Sequence, residues 1–179
     1  MMEVLAGGLL GGLFGMLSAW FAIHVQTGRN VKALAAALYA EIESKVLTAE
    51  AIMAYEYYMG VLGDLITHGD HPNKEQLKIL FENQGDTSPI YHACLANIGL
   101  LKAETSAALV RYHILLDALI ETAKRFLLAP AMSSDSVKTV AYATKQQYIR
   151  MLAAQDKALI ALASELKRTP PVIPPRNLG

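Results

Sequence analysis

Between Val4 and Val25 the chain reads VLAGGLLGGLFGMLSAWFAIHV, without one Asp, Glu, Lys or Arg. A backbone that leaves water must satisfy its own hydrogen bonds, and a helix does so within a single segment. At 1.5 Å per residue, about 22 helical residues reach roughly 33 Å, enough to cross the ~30 Å hydrocarbon core of a bilayer. The run therefore predicts a transmembrane helix over 4–25. No other stretch qualifies. The next most apolar segment, 107–128, carries Arg111, Asp117, Glu121, Lys124 and Arg125, each costly in hydrocarbon.

The anchor reads as uncleaved. A signal peptide has a basic start and a 7–15-residue apolar stretch, whereas Met1-Met2-Glu3 has no basic side chain and the apolar run is about twice that length. Arg29 and Lys32 follow the run and Glu3 precedes it. Basic flanks stay in the cytoplasm, which predicts a single-pass protein with its N-terminus outside and its C-terminal domain in the cytoplasm.

Gly7, Gly11 and Gly15 recur every four residues, with Gly8 and Gly12 beside them and Ser18, Ala19 and Ala22 extending the strip. Small residues in this register form a glycine-zipper face on which helix backbones approach closely in lipid. The strip predicts packing against a copy of itself or against another membrane subunit. Phe14 and Phe21 face away from it, toward acyl chains or a subunit. Trp20 and His24 suit the cytoplasmic interface.

Beyond the anchor, about 150 residues remain, enough for one domain with its own core. Ala and Leu outnumber Val and Ile, and no alternating pattern signals a strand. The fold class is all-α, an antiparallel helical bundle over 28–168 after an anchor over 1–27, with a proline-rich tail over 169–179. Gln26-Thr27-Gly28-Arg29-Asn30 reads as a hinge, with Asn30 capping the next helix. From there Val31, Leu34, Leu38, Ile42, Val46, Ala49 and Met53 make one apolar stripe, with the Glu41–Lys45 pair placed on the solvent side. The helix is expected to reach about Thr67 and to break at His68-Gly69-Asp70-His71-Pro72.

Asn73 and Gln76 resemble a capping box for a short helix through Phe81, followed by a loop at 83–86. Ser88-Pro89 starts a helix expected to stop at a left-handed Gly99. A helix over about 102–128 carries Ala108, Tyr112, Leu115, Leu119 and Phe126, broadened by Leu109, Leu116, Ile120 and Leu127. Ser134 or Asp135 caps the last helix, whose stripe runs Val137, Ala141, Thr144, Tyr148, Met151, Gln155, Leu159, Leu162, Leu166.

Pro89-Ile-Tyr91, Asn97-Ile-Gly99-Leu100-Leu101 and Val110-Arg-Tyr112, with the Ala- and Leu-rich helix from Ala33 to Ile42, resemble a recurring pattern. It belongs to small uncharacterised bacterial membrane proteins with one N-terminal span and a cytoplasmic helical domain. The chain departs from it in lacking a proline after Leu101 and in placing His113 after Tyr112. The resemblance implies this fold and topology, and the expected location is a bacterial inner membrane. It carries no activity.

Composition excludes several classes. Sixteen basic residues balance sixteen acidic ones, and no basic stripe is present to neutralise nucleic-acid phosphates. The chain lacks a phosphate-binding glycine loop, a dinucleotide fingerprint and a nucleophile elbow. His68 and His71 flank Asp70, but a zinc site needs three or four converging ligands, and neighbouring thiols are absent. Cys94 has His92 and His113 as conceivable bases. As a lone thiol on an apolar helix it reads as a small hydrophobe. No metal, cofactor or catalytic set is expected, and the chain reads as a non-enzyme.

Tyr55, Tyr57 and Tyr58 offer broad amphipathic surfaces of the kind enriched at interfaces, and either at least one contacts a partner or one packs while the others lie amphipathic at the surface. The tail, with Pro170, Pro171, Pro174, Pro175 and Arg176, reads either as a disordered end or as an extended peptide that docks in a groove. These features point to an accessory or scaffold subunit of a larger membrane assembly, with lipids and other membrane subunits or a second copy as partners. A self-sufficient homo-oligomeric pore or signalling device, or a ligand-sensing bundle, is the alternative.

Overall fold

The computed structural model describes residues 26–47, 49–69, 88–128 and 132–175. The expected span with its small-residue strip, the 73–81 helix, the 83–86 loop, His71 and Arg176 lie outside these residues. Among the described residues all regular structure is helical. α1 covers 26–47, α2 Ala49–His68, and α3 Pro89–Cys94 leads into a 3-10 turn over Leu95–Leu100. α4 covers Ala103–Leu128 and α5 Ser134–Glu165. No described helix is long and apolar enough to cross a membrane.

Side-chain contacts set the register. Arg168, just past α5, lies over the ring of Tyr39 on α1 with 5.7 Å to the centroid. Tyr148 of α5 meets Tyr58 of α2 at 6.0 Å between centroids, and Ser134 abuts Gly69. As α1 and α2 rise in number α5 falls, so both run antiparallel to it. α4 is antiparallel to α5 as well, since Thr105 bonds Glu165 and Tyr112 bonds Gln155.

The stripes predict the core well. Leu34, Leu38, Ile42 and Val46 of α1 pack with Leu109, Tyr112 and Leu119 of α4 and with Met151, Leu159 and Leu162 of α5. Leu38, Ile42, Leu109, Leu159 and Leu162 are fully buried. Each such side chain contributes about 1.5–3 kcal/mol relative to exposure. A second cluster joins Val61, Leu62 and Leu65 of α2 to Val137 and Ala141 of α5.

Four expectations are corrected. The hinge at 26–30 is helical: a glycine inside a helix costs only about 1 kcal/mol, too little to break it at Gly28. Glu41, assigned to the solvent side, is buried. The α5 cap is Ser133, whose Oγ accepts the N–H of Ser136 at 3.3 Å, one residue before the expected cap.

The fourth concerns Gly99, which is not left-handed. α3 tightens into the 3-10 turn at Leu95, and Ser106 Oγ donates to the Ile98 carbonyl at 2.8 Å. With that carbonyl satisfied, no left-handed stop is required. Among the described glycines the left-handed one is Gly69, at φ 74°, where the chain leaves α2. Lys167, at φ 55°, plays the same part after α5. There Arg168 N–H reaches the Ala163 carbonyl at 2.9 Å and Lys167 N–H the Ser164 carbonyl at 3.1 Å.

Candidate functional site

The tyrosine group divides. Tyr57 is exposed, while Tyr58 turns toward the second core cluster and touches Tyr148. The two rings meet edge-on at 6.3 Å. Burial raises the Tyr58 pKa above 10, with a smaller push from Tyr57. Successive helical residues point about 100° apart, so one of an adjacent pair faces out. Tyr55 lies outside the described side chains. Tyr57 is thus the member of this group that the described structure offers to a partner.

The tail leaves the bundle without continuing the helix. Pro170 and Pro175 are exposed, Pro171 and Pro174 half-buried. Ile173 packs against the main core cluster while Val172 is 92% exposed. The alternation is that of an extended segment with one side on the protein. The tail's groove is therefore, at least over 171–174, on its own bundle.

The described histidines lie on three helices, α2, α3 and α4, and Cys94 lies on α3. His68 is exposed at the end of α2, and His92 is exposed on α3. His113 is buried and stacks on Tyr91, with centroids 3.5 Å apart and planes 16° off parallel. Burial raises the Tyr91 pKa, helped by the Asp117 carboxylate. Cys94 packs half-buried against the core. Among the described residues no three His, Cys, Asp or Glu side chains gather as metal ligands would.

The polar node that the structure does assemble joins α1 to α3. Glu41 Oε1 accepts the N–H of Ile90 at 3.2 Å, and Oε2 accepts the N–H of Tyr91 at 3.1 Å. Lys45 Nζ donates to Ser88 Oγ at 3.2 Å and lies 3.9 Å from Glu41. Ser88, at the capping position of α3, makes no side-chain cap bond of its own. A carboxylate from another helix fills that role, favoured by the partial positive charge of a helix start. The node fastens α3 to α1. Sequence reading missed it, although 34, 38, 41, 45 is itself a stripe with steps of four, three and four.

At the opposite edge of the same region, Glu165 is buried, 3.5 Å from Lys102 and 3.3 Å from the Thr105 hydroxyl. It ties the end of α5 to the start of α4. Two buried carboxylates therefore hold the end of the bundle at which α1 enters, α4 begins and α5 stops.

Class follows from this geometry: an all-helical bundle around α1, α4 and α5. No family model, curated protein or solved structure matches the chain.

Proposed function

We propose that the chain is a non-catalytic, single-pass scaffold or accessory subunit of a bacterial inner-membrane assembly. The small-residue face of Gly7, Gly11 and Gly15 packs on a partner span, and the bundle presents its cytoplasmic surface. One observation carries this reading. α1 supplies the centre of the core through Leu38 and Ile42, yet is helical and exposed all round over 26–30, where it meets the uncharged run 4–25. A helix fully exposed for about a turn and a half is not stabilised there by contact with the bundle, which supports a partner outside it. Force or position imposed on the 4–25 segment thus reaches the core through a helix rather than through a loose linker.

The test is purification from native membranes in mild detergent, with identification of the proteins that accompany the chain. Foreign subunits in fixed ratio, lost when Gly7, Gly11 and Gly15 are all changed to Leu, support the scaffold. A pure self-oligomer assigns the strip to self-assembly. Unchanged company in the triple variant removes the strip from the account.

A further inference from the structure

Charge is distributed unevenly along the bundle. Arg29 and Lys32 lie on the exposed start of α1, Lys102 immediately precedes α4, and Lys167 and Arg168 follow α5. Antiparallel packing brings these three segments to one end: Arg168 reaches Tyr39, and Lys102 reaches Glu165. Arg29 stands ten residues, about 15 Å along the helix axis, further out than Tyr39. All five cations are exposed. The acidic residues of 26–47, 95–105 and 165–175 are Glu41, Glu43, Glu104 and Glu165, four against the six cations Arg29, Lys32, Lys45, Lys102, Lys167 and Arg168, with Glu41 paired to Lys45 and Glu165 to Lys102. This end is therefore positive in a chain whose formal net charge is zero. Toward the far end, 56–69 and 121–140 hold Glu56, Asp64, Glu121 and Asp135 against Lys124, Arg125 and Lys138. Val172, 92% exposed, stands on the tail beside the basic pair, with Ile173 holding the tail to the core.

We infer that this end of the bundle is a docking surface for anionic lipid headgroups, on which Lys102, Lys167 and Arg168 join Arg29 and Lys32, and Val172 enters the interface. The inference rests on the membrane-anchored reading above. The uncharged run 4–25 meets the bundle at this end and not at the other, so the basic end is the one that faces the bilayer. Each basic residue at an anionic leaflet contributes about a fivefold bias toward the docked state. The attraction fades within a Debye length, about 8 Å at physiological salt, so Lys167 and Arg168 benefit only where α1 lies tilted onto the surface, which brings them level with Arg29 despite the roughly 15 Å of helix between it and Tyr39. The exposed valine adds an apolar contact that a purely electrostatic encounter lacks.

The experiment places a polarity-sensitive fluorophore on the full-length chain, using Val172→Cys after Cys94→Ala, and on Tyr142→Cys as a site far along α5. Both are reconstituted into vesicles of phosphatidylcholine alone or with phosphatidylglycerol, with quencher groups on the lipid chains. With phosphatidylglycerol the label at 172 shifts to the blue and is quenched, and the label at 142 is not. Lys167→Gln with Arg168→Gln lowers the docked-to-undocked ratio about thirtyfold, and concentrated salt does the same, with circular dichroism confirming the fold. Failure of the chain to enter vesicles at all overturns the anchor and this inference with it. Stable insertion with equal signals at 172 and 142 overturns the docking alone. Shielding of 172 in native membranes but not in pure lipid gives the surface to a protein partner and also overturns it.

Discussion

The carboxylate of Glu41 accepts the backbone N–H of Tyr91 at 3.1 Å across fifty positions of sequence, and with its other oxygen the N–H of Ile90. A six-residue helix beginning with proline is far too short to hold itself together in water. Its start is held by a group from α1, and its body by Tyr91 stacked on His113 of α4. The order of the 88–101 region therefore depends on side chains elsewhere in the chain, Glu41 at its start and His113 and Ser106 beyond.

Glu41→Ala should destabilise the fold by about 2–3 kcal/mol, because it removes a charge-assisted cap and leaves two N–H groups to find other partners. Urea denaturation gives the change in midpoint. Hydrogen exchange should show the loss of protection concentrated at Ile90 and Tyr91. A cost below about 0.5 kcal/mol would mean the node is ornamental.

Two glycine substitutions should act in opposite directions. Gly69→Ala forces a Cβ into a left-handed turn and onto the Ser134 side chain, and should cost at least about 2 kcal/mol. At Gly28 a Cβ meets nothing within 4 Å, and Gly28→Ala should stabilise the helix by about 0.5–1 kcal/mol. Thermal melts of both variants decide it. Destabilisation by Gly28→Ala would revive the hinge.

Lys167 occupies a left-handed position that glycine fills at no steric cost. Lys167→Gly should raise stability by roughly 0.5–1 kcal/mol, while Lys167→Ala, which keeps the Cβ, should gain nothing. Equal effects from the two substitutions would place the origin in the lost charge instead.

Stability should fall in alkali. Burial raises the pKa of Tyr58 and Tyr91, and that of Tyr39 with help from its hydrogen bond to Glu43, opposed by Arg168. For a raised pKa the unfolded chain ionises first. The contribution is complete below pH 10, the ordinary tyrosine value, and is lost as pH climbs through the folded values. Phenolate absorbance followed with circular dichroism should show these tyrosines ionising late and together with unfolding. Early ionisation on an intact fold would contradict their burial.

Particular residues show what was legible. Leu34, Leu38, Ile42 and Val46 recur at helical spacing and are buried. Val137, Ala141, Thr144, Met151, Gln155, Leu159 and Leu162 do the same along α5. Periodicity reports a face, and a face needs only something apolar opposite. Glu41 and Gly99 were misread because their roles depend on what lies across from them. A carboxylate on the buried stripe is ruinous unless donors meet it, and only the packing of α3 supplies them. Gly99 needs no left-handed turn because Ser106, seven residues on, already answers the Ile98 carbonyl.

Taken alone, the amino-acid order determined the helical class, the apolar faces and the uncharged run at 4–25, since each depends on local spacing and composition. Tertiary structure decided which helix capped α3, how far α1 runs without a hinge, and which cations share one end of the bundle. Those are relations between residues tens of positions apart, and local periodicity carries no information about which distant groups will meet.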